Sequence, residues 1–146
     1  MKVVRVAGTM LLVLVPALWA CRAGEGKLAE IKRGQHYRVL AGKTIAPGGA
    51  KGVVALRVEV TDGWKLNAKA PFIIRLESTD GIKPASNKLR KKDARRKDRH
   101  SILFEVPFTG KVQAGSRLGC KFDFVICNDT MCQKKRFQLD YPLAGR

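Results

Sequence analysis

Histidine, acidic residues and long apolar runs are all scarce in this chain, and each scarcity removes a class of function. Only His36 and His100 occur in 146 residues. The sequence shows no Gly-x-Ser-x-Gly, no His-Glu-x-x-His and no phosphate-binding glycine loop, so hydrolase, zinc-protease and nucleotide chemistry lack their signatures. The two-plus-two cysteine spacing of a structural zinc site is also missing. A metal centre would have to join Cys127 and Cys132 to His36 or His100, far away in sequence. No metal and no cofactor is expected. Twelve acidic residues stand against 29 lysines and arginines, a formal net charge of +17. Aromatics make up 7% of the chain, and none lies within its most basic stretch, residues 88–99. That stretch therefore lacks the stacking surface of a single-strand nucleic-acid binder, and no nucleic-acid partner is expected.

Residues 6–20 carry no charge, a run short of the roughly 20 apolar residues that span a membrane. Lys2 and Arg5 precede it and Ala20 closes it, the layout of a cleaved secretory signal. The junction Leu18-Trp19-Ala20-Cys21 resembles a bacterial lipobox, which makes Cys21 the expected lipidated N-terminus of an exported, membrane-anchored protein on the periplasmic side. Residues 21–34, rich in Gly, Lys, Glu and Ala, read as a flexible tether. Residues 35–146 read as one domain large enough for a core of its own.

Within that domain the apolar pattern has period two, which marks half-buried strands. Val54, Leu56, Val58 and Val60 share one face. So do Phe72, Ile74 and Leu76, then Ile102, Phe104, Val106 and Phe108. A fourth set is Leu118, Cys120, Phe122, Phe124 and Ile126, and a fifth is Phe137, Leu139 and Tyr141. A first strand is expected near residues 36–40 and a weak edge strand at 87–92. No amphipathic helix is evident. Seven or eight short strands at this spacing predict an all-β sandwich of immunoglobulin type.

Strand parity divides the cysteines. Cys120 shares the face of Phe122 and Phe124 and reads as a small buried hydrophobe. Cys127 and Cys132 flank the polar turn Asn128-Asp129-Thr130-Met131. Four-residue hairpin loops are common, and this one sets the two cysteines opposite each other, within bonding reach. A bond closing so short a loop contributes only about 2 kcal/mol in the chain-entropy account, against about 4.7 for a 100-residue loop. The pair is thus a weak staple, and exposed hairpin-end bonds tend to be the exchangeable ones. Redox relay and structural disulfide both remain open on these grounds.

Three segments carry a resemblance to a known family. They are Gly63-Trp64-Lys65-Leu66-Asn67-Ala68, Phe104-Glu105-Val106-Pro107-Phe108, and Phe124-Val125-Ile126-Cys127-Asn128-Asp129-Thr130-Met131-Cys132. Together they resemble the N-terminal periplasmic domain of the thiol:disulfide interchange protein DsbD, over roughly the stretch from Gly63 to the end. The resemblance implies an immunoglobulin-like sandwich in which Cys127 and Cys132 exchange thiols and disulfides. The implied partner is a thioredoxin-like protein or a membrane electron carrier. It leaves open which cysteine attacks; Lys134, Lys135 and Arg136 stand nearby as candidates to favour a thiolate. The chain departs from the family after the second cysteine, where Gln133 and Lys134 replace the prolines many members carry. These 146 residues also hold no electron-carrying membrane segment and no thioredoxin-like domain, so another polypeptide is expected to reduce the pair.

Eight of the twelve residues in 88–99 are basic. The plain reading is a solvated edge whose charge discourages strand-to-strand association. The sharper reading makes Arg90, Lys91, Lys92, Arg95, Arg96, Lys97 and Arg99 an anion-binding surface, with an anionic membrane as the expected partner. In that case the domain is a binding module and its disulfide is structural.

Overall fold

A computed structural model describes residues 27–79 and 81–145. The signal segment and Cys21 lie outside the described residues. Eleven strands follow in chain order: β1 (Ala29–Gly34), β2 (Tyr37–Ile45), β3 (Lys51–Val60), β4 (Lys65–Leu66), β5 (Ile73–Ser78), β6 (Lys83–Pro84), β7 (Lys88–Arg90), β8 (Arg96–Lys97), β9 (Ser101–Thr109), β10 (Arg117–Cys127) and β11 (Cys132–Pro142). A single 3-10 turn, Lys91–Asp93, is the only helical element among the described residues.

The strands form two antiparallel sheets. One runs β1-β2-β3-β9-β6, with β8 also on β9; the other runs β11-β10-β5-β7, with β4 also on β10. The expected all-β sandwich is the fold. It has more strands than the seven or eight expected, because β1 joins the sandwich and β4, β6 and β8 are only two residues long, while β7 is the edge strand expected at 87–92. Two-residue segments show no periodicity, and tertiary pairing alone defines them.

The predicted faces are the faces that pack. Val54, Leu56, Val58, Phe104 and Val106 of one sheet meet Ile74, Leu76, Leu118, Phe122, Phe124 and Ile126 of the other, all buried. An aromatic group ties the layers together. Phe72 stacks on Phe124 at 4.9 Å and lies 5.6 Å from Phe104, while Phe122 stacks on Phe137 at 4.8 Å. Such offset and edge contacts add to the stabilisation that burial alone supplies. No buried side-chain nitrogen or oxygen among the described residues lacks a hydrogen-bond partner.

Residues 29–34, expected as part of the tether, instead form edge strand β1 against β2. The hairpin turns through Gln35 and His36, and His36 takes a positive φ of 68°. Only Ile31 of this strand packs on the core. One apolar residue among charges leaves no alternating signal, so the strand was invisible to periodicity. Its lysine and arginine suit an exposed edge.

Two features of the fold aim the chain at the cysteines. Gly63, at φ +83°, turns the chain after β3 in a conformation that side-chain-bearing residues rarely adopt. Trp64 is then buried and stacks on His36 at 4.3 Å, which anchors the start of β4. Replacing Phe104, fully buried where the two sheets meet, by alanine is expected to cost about 3–5 kcal/mol. The urea midpoint would report this, with the slope unchanged if the sandwich keeps its architecture.

Candidate functional site

Strand β10 is paired along both edges. On one side β11 runs in unbroken register from Arg117↔Pro142 to Cys127↔Cys132. On the other, β5 covers residues 118–123 and β4 takes over at Ile126↔Leu66 and Cys127↔Lys65. The inward alternation ends at Ile126, so Cys127 points to the outer face of the sheet. It is bonded to Cys132 directly across the hairpin, with the two Cα atoms 4.0 Å apart. This is near the close spacing of non-hydrogen-bonded antiparallel pairs, where facing side chains meet. Cys132 is exposed and Cys127 half-buried.

The loop between them is held by one side chain. Asn128 Oδ1 accepts hydrogen bonds from the Thr130 and Met131 amides (2.9 and 2.8 Å) and from the Thr130 hydroxyl (3.1 Å). The Asn128 amide donates to the Met131 carbonyl at 2.9 Å. Met131 is left outside as the one large hydrophobic residue exposed among the described residues. The loop is thus ordered by its own sequence, as Asn favours.

A second segment reaches the pair from a distance of about 60 positions. Asn67 Nδ2 donates to Cys127 Sγ at 3.2 Å and lies 3.9 Å from Cys132 Sγ. In the sequence Asn67 is marked only by its place in the segment Gly63-Trp64-Lys65-Leu66-Asn67-Ala68. The signal that could have singled it out is its Asx turn, in which Oδ1 accepts the Lys69 and Ala70 amides at 2.8 and 2.9 Å. The cations beside Cys132 have other partners. Lys134 and Arg136 bind Asp123 at 3.5 and 2.9 Å, and Lys135 donates to Gln133 Oε1 at 2.8 Å. The polar group in contact with the sulfurs is therefore an amide rather than these three cations.

The basic segment wraps the same end of the sandwich. The Leu66 amide donates to the Arg99 carbonyl at 2.7 Å. A cleft of about 370 Å³ is bordered by Asn67, Phe72, Lys91, Lys97 and Arg99. Six of the seven basic residues expected to bind anions are exposed: Arg90, Lys92, Arg95, Arg96, Lys97 and Arg99. Lys91 is half-buried. Its ammonium donates to the carbonyls of Asn67 (2.5 Å), Ala68 (2.9 Å) and Ala70. Burial, with Lys97 nearby, holds that ammonium below the usual lysine pKa. Hydrogen bonds from the His100 and Ser101 amides hold the Asp98 carboxyl below its usual range and fix the turn into β9. Among the described residues, no group of three or more His, Cys, Asp or Glu side chains is arranged to hold a metal ion.

Cys120 is the free cysteine among the described residues. It is buried as its parity predicts, and its thiol lies 3.7 Å from the Leu118 carbonyl. Burial, with Asp140 adding to it, pushes its pKa up to about 12.

Fold and site together define a two-sheet β-sandwich that carries an accessible disulfide at a hairpin end. No protein-family model and no curated protein sequence matches the chain. Solved structures do. The GAE domain of GGA2p from Saccharomyces cerevisiae aligns with 81% of this chain and 99% of its own, at 6% identity and a TM-score of 0.52. The GAE domain of yeast GGA1 aligns with 80% and 99%, at 11% identity and a TM-score of 0.49. The N-terminal periplasmic domain of ScsB from Proteus mirabilis aligns over 78% of this chain at 14% identity and a TM-score of 0.49, and the match spans half of that chain. At these identities the likeness is one of fold.

With Cys21 replaced by serine, native protein is expected to show no thiol reactive towards an alkylating reagent at pH 8, and one Cys120 thiol per chain once denatured without reductant. A folded-state pKa raised to about 12 stabilises the fold fully below the unfolded thiol value of about 8.5, and that contribution is lost as pH rises towards the folded value. Thermal unfolding of a Cys120→Ala variant should therefore depend less on pH above about 8.5 than that of the parent.

Proposed function

We propose that this chain is an exported module, similar to the DsbD N-terminal domain, that exchanges thiols and disulfides with a partner protein through Cys127 and Cys132. One observation carries the reading. The disulfide sits at the turn end of a hairpin, bonded across paired strands, with Cys132 exposed. A stabilising bridge gains most from closing a long loop, and this one spans five positions.

The exchange uses a dithiol partner as reductant. A partner thiolate attacks Cys132 Sγ, the more accessible sulfur. A bond forms between the two sulfurs while the Cys127–Cys132 bond breaks, and its electron pair leaves on Cys127. The partner's second thiolate then displaces Cys132 from the mixed disulfide. The partner ends oxidised by two electrons, and this domain holds two thiols to pass on. In this reading Cys21 anchors the mature domain by lipid, so the reaction takes place beside the outer face of the cytoplasmic membrane or on the outer membrane.

A second reading is favoured by the six exposed cations of residues 90–99. There the domain is a non-enzymatic module, and the basic edge binds an anionic membrane surface.

The reduction potential of the pair tests the first reading. A value near about −200 mV supports exchange, and one far below about −300 mV marks a structural bond and rejects it. For the second, replacing Arg95, Arg96, Lys97 and Arg99 by glutamine should weaken binding to phosphatidylserine-containing vesicles by more than about a hundredfold, at about 1 kcal/mol per cation. Sedimentation with those vesicles, repeated with neutral ones and at high salt, measures it.

A further inference from the structure

Asn67 is held in one orientation by bonds that leave its amide nitrogen facing sulfur. Both loop amides, of Lys69 and Ala70, donate to Oδ1. The oxygen must therefore face the loop, and the NH2 group must face Cys127. The segment that carries it is fixed at both ends and underneath. Trp64 and Phe72 are buried on either side of it. Its backbone amide donates to the Val125 carbonyl at 3.0 Å, which ties it to the strand that carries Cys127. Below, the three donors of the Lys91 ammonium meet three carbonyls, those of Asn67, Ala68 and Ala70. An ammonium half-removed from water and bonded to three carbonyls is a brace for this loop, in contrast to its exposed basic neighbours.

A disulfide sulfur is a weak, neutral acceptor, so the bond at 3.2 Å contributes little while the pair is oxidised. Once the pair opens, the same donor faces an anion. Hydrogen bonds to ionised acceptors are roughly twice as strong as neutral ones. The amide thus favours the opened state over the closed one, and it does so at Cys127 more than at Cys132. Other charges on this outer face are placed differently. Lys65 stands opposite Cys127 in register, Asp123 is paired with Lys134 and Arg136, and Asp129 lies in the hairpin loop.

We propose that the Asn67 side-chain amide stabilises the thiolate released on Cys127 when the disulfide opens, and that Lys91 is the positioning residue that holds the amide against that sulfur. This assignment rests on the exchange reading above. It gives the pair a direction: Cys127 leaves as the stabilised thiolate, and Cys132 carries the mixed disulfide.

The test uses the reduced chain with Cys21→Ser and Cys132→Ser, so that Cys127 is the accessible thiol among the described residues, and follows iodoacetamide alkylation against pH. Asn67→Asp keeps the oxygen that accepts the two loop amides and replaces the donor with an acceptor. It should raise the alkylation midpoint of Cys127 by about one pH unit or more. In the two-cysteine chain the same change should slow opening by dithiothreitol about tenfold. Lys91→Met should raise the midpoint in the same direction by a smaller amount, with the far-UV spectrum of a folded sandwich. Asn67→Ser, whose hydroxyl can hold the loop amides but is too short to reach the sulfur, gives a second reading if the aspartate variant does not fold. Equal midpoints in the parent and the folded Asn67 variants would overturn the role of the amide, and an unchanged midpoint in Lys91→Met would overturn that of the lysine. A purely structural role would lower the melting temperature and leave the midpoint where it was. Failure of the exchange reading shows separately, as a native disulfide that protein dithiols do not open, because the midpoints are measured on free thiols.

Discussion

The register of β10 is the constraint on which the rest of this structure depends. This strand lies in the interior of its sheet, bonded to β11 along one edge and to β5 and then β4 along the other. Leu118, Cys120, Phe122, Phe124 and Ile126 all point inward and are buried. A slip of one residue would bring Lys121, Asp123 and Val125 into the core and turn five apolar residues outward. Burying unpaired charge costs far more than any local gain could repay, so the register is fixed firmly. With it, the position and facing of Cys127 are fixed as well. The cysteine is simply the first residue beyond the inward set, on the outer face, at the end of the strand.

The same register places Cys132. Once β11 pairs from its far end, the hairpin loop has four residues, and the two cysteines are partners. Asn128 reinforces this locally by accepting three hydrogen bonds inside the loop. The sulfurs therefore sit on a rigid frame, with little need for the bond itself to hold the hairpin closed. Under the exchange reading, a disulfide whose geometry is imposed by its surroundings, and whose loop is short, would open without releasing the strands. That independence of fold from bond is what an exchange site requires.

Charge in this protein is divided between two jobs by burial. Lys91 spends its charge inside, beneath the loop of Asn67, while its neighbours from Arg90 to Arg99 stay at the surface. On the opposite flank, Asp123 gathers Lys134 and Arg136. The outcome is a disulfide bordered by a neutral amide, with positive charge arranged around it at the rim. Rim charge of this kind steers an encounter more than it fixes final affinity. Under the exchange reading proposed above, it would favour a partner with acidic surface around its own dithiol.

The period-two faces were legible because they obey a local rule. An alternating run such as residues 118–126 has only one way to bury its apolar half. The Cys127–Cys132 pairing was legible for a similar reason, since a four-residue turn places its flanks together without help from elsewhere. Strand β1 and the two-residue strands β4, β6 and β8 were not legible. One apolar residue, or two residues of any kind, carry no period, and only a neighbouring strand gives them their form. Asn67 and Lys91 were hidden for a different reason. Their significance lies in contacts 60 and 24 positions away in sequence. Whether a lysine in a basic run faces water or three carbonyls depends on which loop the fold brings above it. The sequence alone thus determined the sandwich, the buried Cys120 and the paired cysteines, because each follows from local alternation and turn length. Only the tertiary structure decided what touches the sulfurs, because that contact is made by chain segments that meet nowhere but in the folded molecule.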